Sequence, residues 1–181
     1  PMMQFELLQE LVHYARNHEN PHGIKLYFSM QTNATLFTDE RVRWIKENDV
    51  RVGISVDGNP EQHNKSRPYV NGKGSYHRLV EGIDLLQKYG IRFGILVVLN
   101  RHNVSDVQSL IDFLVDNDIH SLKINPIAYL GTGQAAWNEF GLHDHEIIAY
   151  FKEFMERIVA QRLLIREANI YTICQHFMSK R

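Results

Sequence analysis

One feature constrains this chain more than any other: from residue 2 to residue 130, helical spacing alternates with short β-rich runs. Residues 2–18 set Phe5, Leu8, Leu11, Val12 and Ala15 at helical intervals behind Pro1, a residue suited to a first turn. Asn-Pro and Gly in NENPHG break that helix. IKLYFSMQTN (24–33) alternates and reads as a strand. TDERVRWIKEND follows as a helix with Thr38 as N-cap, and VRVGISV (50–56) as a strand. Ser75 is expected to cap SYHRLVEGIDLLQKY, which Gly90 ends. IRFGILVVLN (91–100) has the continuous apolar character of a strand buried on both faces. A helix with Ser105 as cap and a strand over 121–130, stopped by GTG, complete the alternation. A long helix from 143 to 165 and a shorter one over 167–181 close the chain.

Alternation of this kind calls for parallel strands joined by right-handed helical crossovers. The expected class is α/β: four parallel strands in a partial (β/α) barrel, an incomplete TIM-like barrel with C-terminal helices. Residues 1–141 form the expected barrel core and 142–181 the helical segment. Four strands open at both edges are unusual, so something should cover the edge before residue 24. An uncovered edge makes self-association an expectation.

Composition narrows the function classes. A formal net charge of −1 gives no basic excess, so no nucleic-acid partner is expected. No apolar run is long enough to span a membrane, so none is expected. The single cysteine, Cys174, precludes an internal disulfide framework and an intrachain cysteine metal cage, and suits a reducing cytoplasm. On a helix with Ile170 and Phe177 it is expected to be a packed thiol, with Tyr171, Phe177 and Met178 forming an apolar packing side. His143 and His145 are expected to begin a helix and point to different sides of it, which makes them poor co-ligands, and no metal is assigned. GTG at 131–133 is expected to be a flexible connector.

Parallel α/β folds bind ligands at the carboxyl ends of their strands. Those ends deliver Gln31, Thr32 and Asn33; Ser55 and Asp57; Asn100, Arg101 and His102; and Asn125, Pro126 and Tyr129. The stretch after Ser55 is far longer than the roughly 2–6 residues a strand-to-helix turn needs, and it carries Arg67. The set makes a polar-rimmed cavity, although strand ends are also polar because they meet water. Asp57-Gly58 is a common turn pair, Arg67 could be a solvated loop charge, Ser55 a small core-facing polar group, and Gln31 could bond backbone only.

At QTNATLFTDE, VGISVDGNPEQHNKSR, GKGSYHRLVEGIDLLQKYGI and VVLN the chain resembles the radical S-adenosylmethionine enzymes of the SPASM/twitch type. The resemblance runs to about residue 135 and is nearest to the peptide and protein modifiers, such as the anaerobic sulfatase-maturating enzymes and ribosomal-peptide maturases. It implies that Pro1 ends a Gly-Gly-Glu-Pro segment. It further implies that a Cys-x3-Cys-x2-Cys loop holding a [4Fe–4S] cluster lies upstream and a cysteine-rich region downstream. By the same resemblance the cofactor-binding residues are Ser55 at the ribose, Arg67 at the methionine carboxylate, Asp57 shaping the turn or holding Arg67, Gln31 facing cofactor and substrate, and Asn125, Pro126 and Ile127 along the adenine. The substrate-facing residues are Gln31, Asn33, Asn100 and Tyr129. No catalytic residue is assigned within this chain.

The resemblance implies that S-adenosylmethionine is the cofactor and that the parent protein also carries the cluster. The cluster would pass an electron to the sulfonium, and the resulting radical would take a hydrogen from a peptide or protein side chain. Clusters need cysteine thiolates, so the chain by itself is expected to be an inactive fragment, truncated form or degenerate relative. The alternative is a non-catalytic α/β domain that binds a peptide or protein partner. A phosphate-binding barrel is disfavoured because no Gly-rich strand-to-helix turn is present.

Overall fold

A computed structural model describes residues 1–19 and 22–179. The strands are β1 (Phe28–Thr32), β2 (Val50–Ser55), β3 (Phe93–Leu99), β4 (Ser121–Pro126) and β5 (Arg166–Glu167). The helices are α1 (Phe5–Asn17), α2 (Asp39–Glu47), α3 (Pro60–Ser66), α4 (Tyr76–Lys88), α5 (Val107–Asp116), α6 (Thr132–Ala135), α7 (Trp137–Phe140), α8 (Asp144–Ala160) and α9 (Ala168–Met178). The parallel α/β reading from the alternation therefore stands. The Asn20-Pro21 break expected after the first helix lies outside the described residues.

The chain forms two compact units. The first comprises Pro1–Ile54 and Arg78–Phe93. Here β1 and β2 pair in parallel, with Met30 opposite Val52 and Gln31 opposite Gly53. A Cβ on Gly53 would sit 2.2 Å from Gln31 Oε1, so a larger residue there would displace the end of the Gln31 side chain. Thr38 caps α2 as expected: its Oγ1 accepts the Arg41 N–H at 3.3 Å. Val42, Ile45, Ile54, Leu79, Ile83 and Leu86 are wholly buried, so α2 and α4 each present one apolar face to the interior. Gly90, at φ +65°, ends α4 in the left-handed conformation that favours glycine. The expected strand over 24–33 is shorter, because Ile24, Leu26 and Tyr27 are exposed and leave the ladder to start at Phe28.

The second unit comprises Ser55–His77 and Gly94–Arg181. It pairs β3 with β4 and β4 with β5, all parallel. The fifth strand was not expected, since two residues give no periodicity to read. It is held by Glu167, 4% exposed, whose Oε1 accepts the Ile124 N–H at 3.0 Å and whose Oε2 caps α9 through the Ile170 N–H at 2.8 Å. The expected long helix ends at Ala160, where Arg162 turns at φ +53° and lets the chain enter β5.

Four local expectations are corrected. Asp106, not Ser105, caps α5, because its carboxylate accepts the Ser109 N–H at 3.0 Å and the Ser109 hydroxyl as well. GTG at 131–133 is no mere connector, because Thr132 and Gly133 begin α6, which α7 follows. His143 occupies the cap position outside α8, so its ring stacks on His145 at 5.7 Å and 9° instead of diverging from it. Cys174 is exposed, and so are Ile173, Phe177 and Met178, so this side of α9 is not packed among the described residues.

Candidate functional site

The carboxyl ends of β3 and β4, with the segment that follows β2, enclose a cavity of about 580 Å³ in the second unit. That size suits a small-molecule ligand. Its polar wall is built on Asp57. This residue is 2% exposed, and a buried carboxylate is tolerated only when its charge is answered. Arg67 Nε donates to Asp57 Oδ2 at 2.7 Å, and Arg67 Nη2 to Oδ1 at 3.2 Å. The Val98 N–H also donates to Oδ1, at 2.9 Å. Asn103 Nδ2 donates to the Asp57 carbonyl at 3.2 Å and the Val98 carbonyl at 3.0 Å, locking the turn to β3.

The local sequence explains why Arg67 reaches this point. Asn59, next to Gly58, forms a capping box with Gln62 and starts α3 at Pro60. Gly58 sits at φ +108°, and a Cβ there would meet Gln62 Oε1 at 2.0 Å. The stretch expected to be a polar loop is therefore partly a helix, and Arg67 is its C-cap. Gln62 Nε2 reaches the Asp106 carboxylate at 3.3 Å and Asn59 Nδ2 the Ser109 hydroxyl at 3.3 Å, fastening α3 to the start of α5. The hydrogen bonds from Ser109 hold the Asp106 carboxyl below the ordinary carboxylate range.

Ser75 stands directly before α4, the position expected of it. Its hydroxyl donates to the Arg67 carbonyl at 2.7 Å and lies 3.2 Å from His63 Nε2, while Asn64 Oδ1 takes the Tyr76 N–H at 3.0 Å. Burial first, and then the Arg67 charge, push the His63 imidazole down to about 4.

The lining also has an apolar part, with Pro126, Ile127, Ala128 and Leu130, and Phe140 of α7. The cavity thus pairs a guanidinium with an apolar shelf. Asp57 occupies the Nε side of Arg67, which leaves Nη1 and the second Nη2 hydrogen as donors for another anion. A ligand with an anionic end and a flat, weakly polar body matches that donor set.

Of the residues singled out from the sequence, Asp57, Arg67, Asn100, Asn125, Pro126 and Ile127 line this cavity together. Asn100 is 2% exposed; its amide binds the Ser66 hydroxyl, the Val98 carbonyl and the His102 N–H, so its polar atoms serve the fold around the cavity. Ser55 is buried at the end of β2 and is not among the lining residues. Tyr129 lies outside the lining, 55% exposed, with its ring edge-on to Trp137 at 5.3 Å. Gln31 and Asn33 belong to the first unit. There Gln31 covers Gly53, and Asn33 Oδ1 accepts the Thr35 hydroxyl at 3.0 Å. Sequence reasoning missed the α6–α7 part of the wall, whose short helices carry no periodicity. Among the described residues no three His, Cys, Asp or Glu side chains are grouped to hold a metal ion.

Residues 1–114 match the Radical SAM superfamily. The cysteine-type anaerobic sulfatase-maturating enzyme of Clostridium novyi (strain NT) is 29% identical over 125 residues, 69% of this chain and 33% of that protein. The serine-type anaerobic sulfatase-maturating enzyme of Bacteroides thetaiotaomicron is 36% identical over 98 residues, 54% of this chain and 24% of that protein. This chain therefore spans a third or less of the length of these two relatives. A solved structure described as native anSMEcpe with bound AdoMet aligns over 91% of this chain and 45% of its own, with a TM-score of 0.80 at 23% identity. Its form with bound AdoMet and the Kp18Cys peptide gives 0.79 at 23% identity, covering 90% of this chain and 45% of its own. Those two likenesses are of fold.

Proposed function

This chain belongs to the Radical SAM superfamily, and we propose that it is part of an enzyme that modifies a peptide or protein side chain, in sulfatase or ribosomal-peptide maturation. S-adenosylmethionine and an iron–sulfur cluster are the cofactors of this family. The observation that carries the reading is the Asp57–Arg67 pair lining one cavity with Pro126 and Ile127. S-adenosylmethionine has an anionic carboxylate at one end and a flat adenine at the other, and the donor set fits both. Arg67 takes the carboxylate, and Asp57 keeps the guanidinium in place. Asn125, Pro126 and Ile127 lie along the adenine, Ser55 serves the ribose diol, and Gln31 faces cofactor and substrate. Asn33, Asn100 and Tyr129 border the substrate. The apolar wall excludes water from a reaction that water and stray hydrogen donors would quench. When bound, the cofactor supplies a means of removing a hydrogen atom from an unactivated side chain.

The cluster does not fit the residues of this chain. It takes several cysteine thiolates, and the one thiol here, Cys174, is exposed on α9. This chain alone is expected to be inactive. Residues 1–141 are the proposed barrel portion and 142–181 a helical segment leading away from it. A peptide or protein is the proposed substrate, as the sulfatase-maturating relatives and the peptide-bound neighbour suggest. No helix among the described residues is long and apolar enough to cross a membrane, and a reducing cytoplasm is the proposed location.

The test is anaerobic turnover by the full protein after supply of iron and sulfide. Cleavage of S-adenosylmethionine together with a mass change on a cysteine- or serine-containing sulfatase peptide is expected. Arg67→Gln should weaken S-adenosylmethionine binding by about ten- to a hundredfold, the loss of a charge-assisted hydrogen-bond pair. A full protein that binds a peptide but neither cleaves the cofactor nor alters the peptide would instead be a non-catalytic binding module.

A further inference from the structure

One buried imidazole is tied to both members of the Asp57–Arg67 pair. His63, on α3, is 1% exposed and is not among the residues lining the cavity. Its Nδ1 accepts the Asp57 N–H at 3.3 Å. Its Nε2 lies 3.2 Å from Ser75 Oγ, and that hydroxyl donates its only hydrogen to the Arg67 carbonyl at 2.7 Å. The ring must therefore donate from Nε2 and accept at Nδ1, so one neutral tautomer satisfies the whole chain of bonds. Burial keeps the ring neutral near pH 7, as that tautomer requires. The His63 carbonyl takes the Arg67 N–H at 2.7 Å, and Tyr76 packs edge-on against the ring at 5.6 Å.

We propose that His63 is a positioning residue that fixes the backbone of Asp57 relative to the backbone of Arg67, so that the guanidinium meets the cofactor carboxylate in one orientation. The two residues are ten apart in sequence, and their carboxylate–guanidinium contact alone leaves the backbone on either side free to shift. A ring bonded to Asp57 directly and to Arg67 through the Ser75 hydroxyl removes that freedom. Such preorganisation raises affinity without any new contact to the ligand. The inference rests on the reading of Arg67 as the carboxylate ligand.

The test compares two ligands in the full protein. S-adenosylmethionine has the amino-acid carboxylate; methylthioadenosine lacks it but keeps the adenosine. Equilibrium binding of both is measured for Arg67→Gln, His63→Leu, Ser75→Ala and the Arg67→Gln/His63→Leu pair, with a melting temperature for each. His63→Leu is expected to weaken S-adenosylmethionine about tenfold and Ser75→Ala about threefold, within what one or two lost hydrogen bonds can do. Methylthioadenosine should change less than twofold in both. The double variant should bind S-adenosylmethionine no more weakly than Arg67→Gln alone, because His63 acts through Arg67. Equal losses for the two ligands would reduce His63 to a packing residue and overturn the proposal. So would unchanged binding in Ser75→Ala and His63→Leu while Arg67→Gln keeps its selective loss. If Arg67→Gln itself shows no selective loss, the reading of the site fails first and the His63 proposal falls with it. Should His63→Leu not fold, Ser75→Ala carries the comparison.

Discussion

At the scale of single residues, Asp57 answers three donors from a position water scarcely reaches: two nitrogens of Arg67 and the Val98 N–H. Asp57→Asn can still accept one of these but cannot balance Arg67, whose side chain is 28% exposed. A cost of about 1–3 kcal/mol is expected, less than for a fully buried pair because solvent screens the guanidinium, and chemical denaturation would measure it. His63 makes a pH prediction. Its folded pKa is about 4 against an ordinary 6.5. The unfolded chain therefore takes up a proton below about pH 6.5 that the folded chain refuses. Stability from this group is complete above pH 7, declines as pH falls from about 6.5 to 4, and declines no further below that, a span of roughly 3 kcal/mol. The charged groups about the ring are Arg67 and Asp57, and Tyr76 lies on its edge. Denaturation midpoints for the native protein should fall more steeply across that window than those of His63→Gln; parallel curves would contradict the assignment. Asp57 and Arg67 could be picked out in the sequence because a strand ended in an acid and the following stretch carried one arginine. His63 could not be given a role, since nothing in NPEQHNKSR says which polar residue turns inward.

At the scale of elements, the strands and longer helices were legible wherever a period repeated several times. β3 was legible instead from its continuous apolar run, although only Ile95, Val97 and Leu99 are buried and the residues between them are half-buried, so it is not buried on both faces as expected. What escaped was short or decided by a partner elsewhere. β5 is two residues long and exists because Glu167 bonds to Ile124. α3 replaced an expected loop because a capping box outweighed the polarity of its sequence. One close approach offers a test within the first unit. A Cβ on Gly82 of α4 would lie 2.5 Å from the Ala34 carbonyl oxygen and 2.9 Å from the Ala34 Cβ, where Ala34 already sits at φ +60°. Gly82→Ala should therefore destabilise by about 1–3 kcal/mol through overpacking, despite its better helix propensity. Thermal unfolding would check it, and an unchanged or raised midpoint would refute the packing.

At the scale of the whole molecule, membership of the Radical SAM superfamily and the parallel sheet were legible from motifs spread along the chain. The wall of the candidate site was only half legible, because α6 and α7 supply surface without signature residues. The chain's thiol content leads to a plain prediction. Incubated anaerobically with iron, sulfide and reductant, these residues alone should acquire no [4Fe–4S] absorption or spin signal, and Cys174→Ser should change nothing. β1, at the end of the strand order, makes self-association through its edge a further proposal, to be checked by sedimentation across a concentration series. The central claim is that the cavity of Asp57, Arg67, Pro126 and Ile127 is a cofactor site. Its most direct test is a crystal structure of the full protein with S-adenosylmethionine. The carboxylate is expected within hydrogen-bonding distance of Arg67, with Asp57 still bound to the guanidinium, and the adenine against Pro126 and Ile127. A cofactor bound with its carboxylate elsewhere, and Arg67 paired only to Asp57, would contradict it.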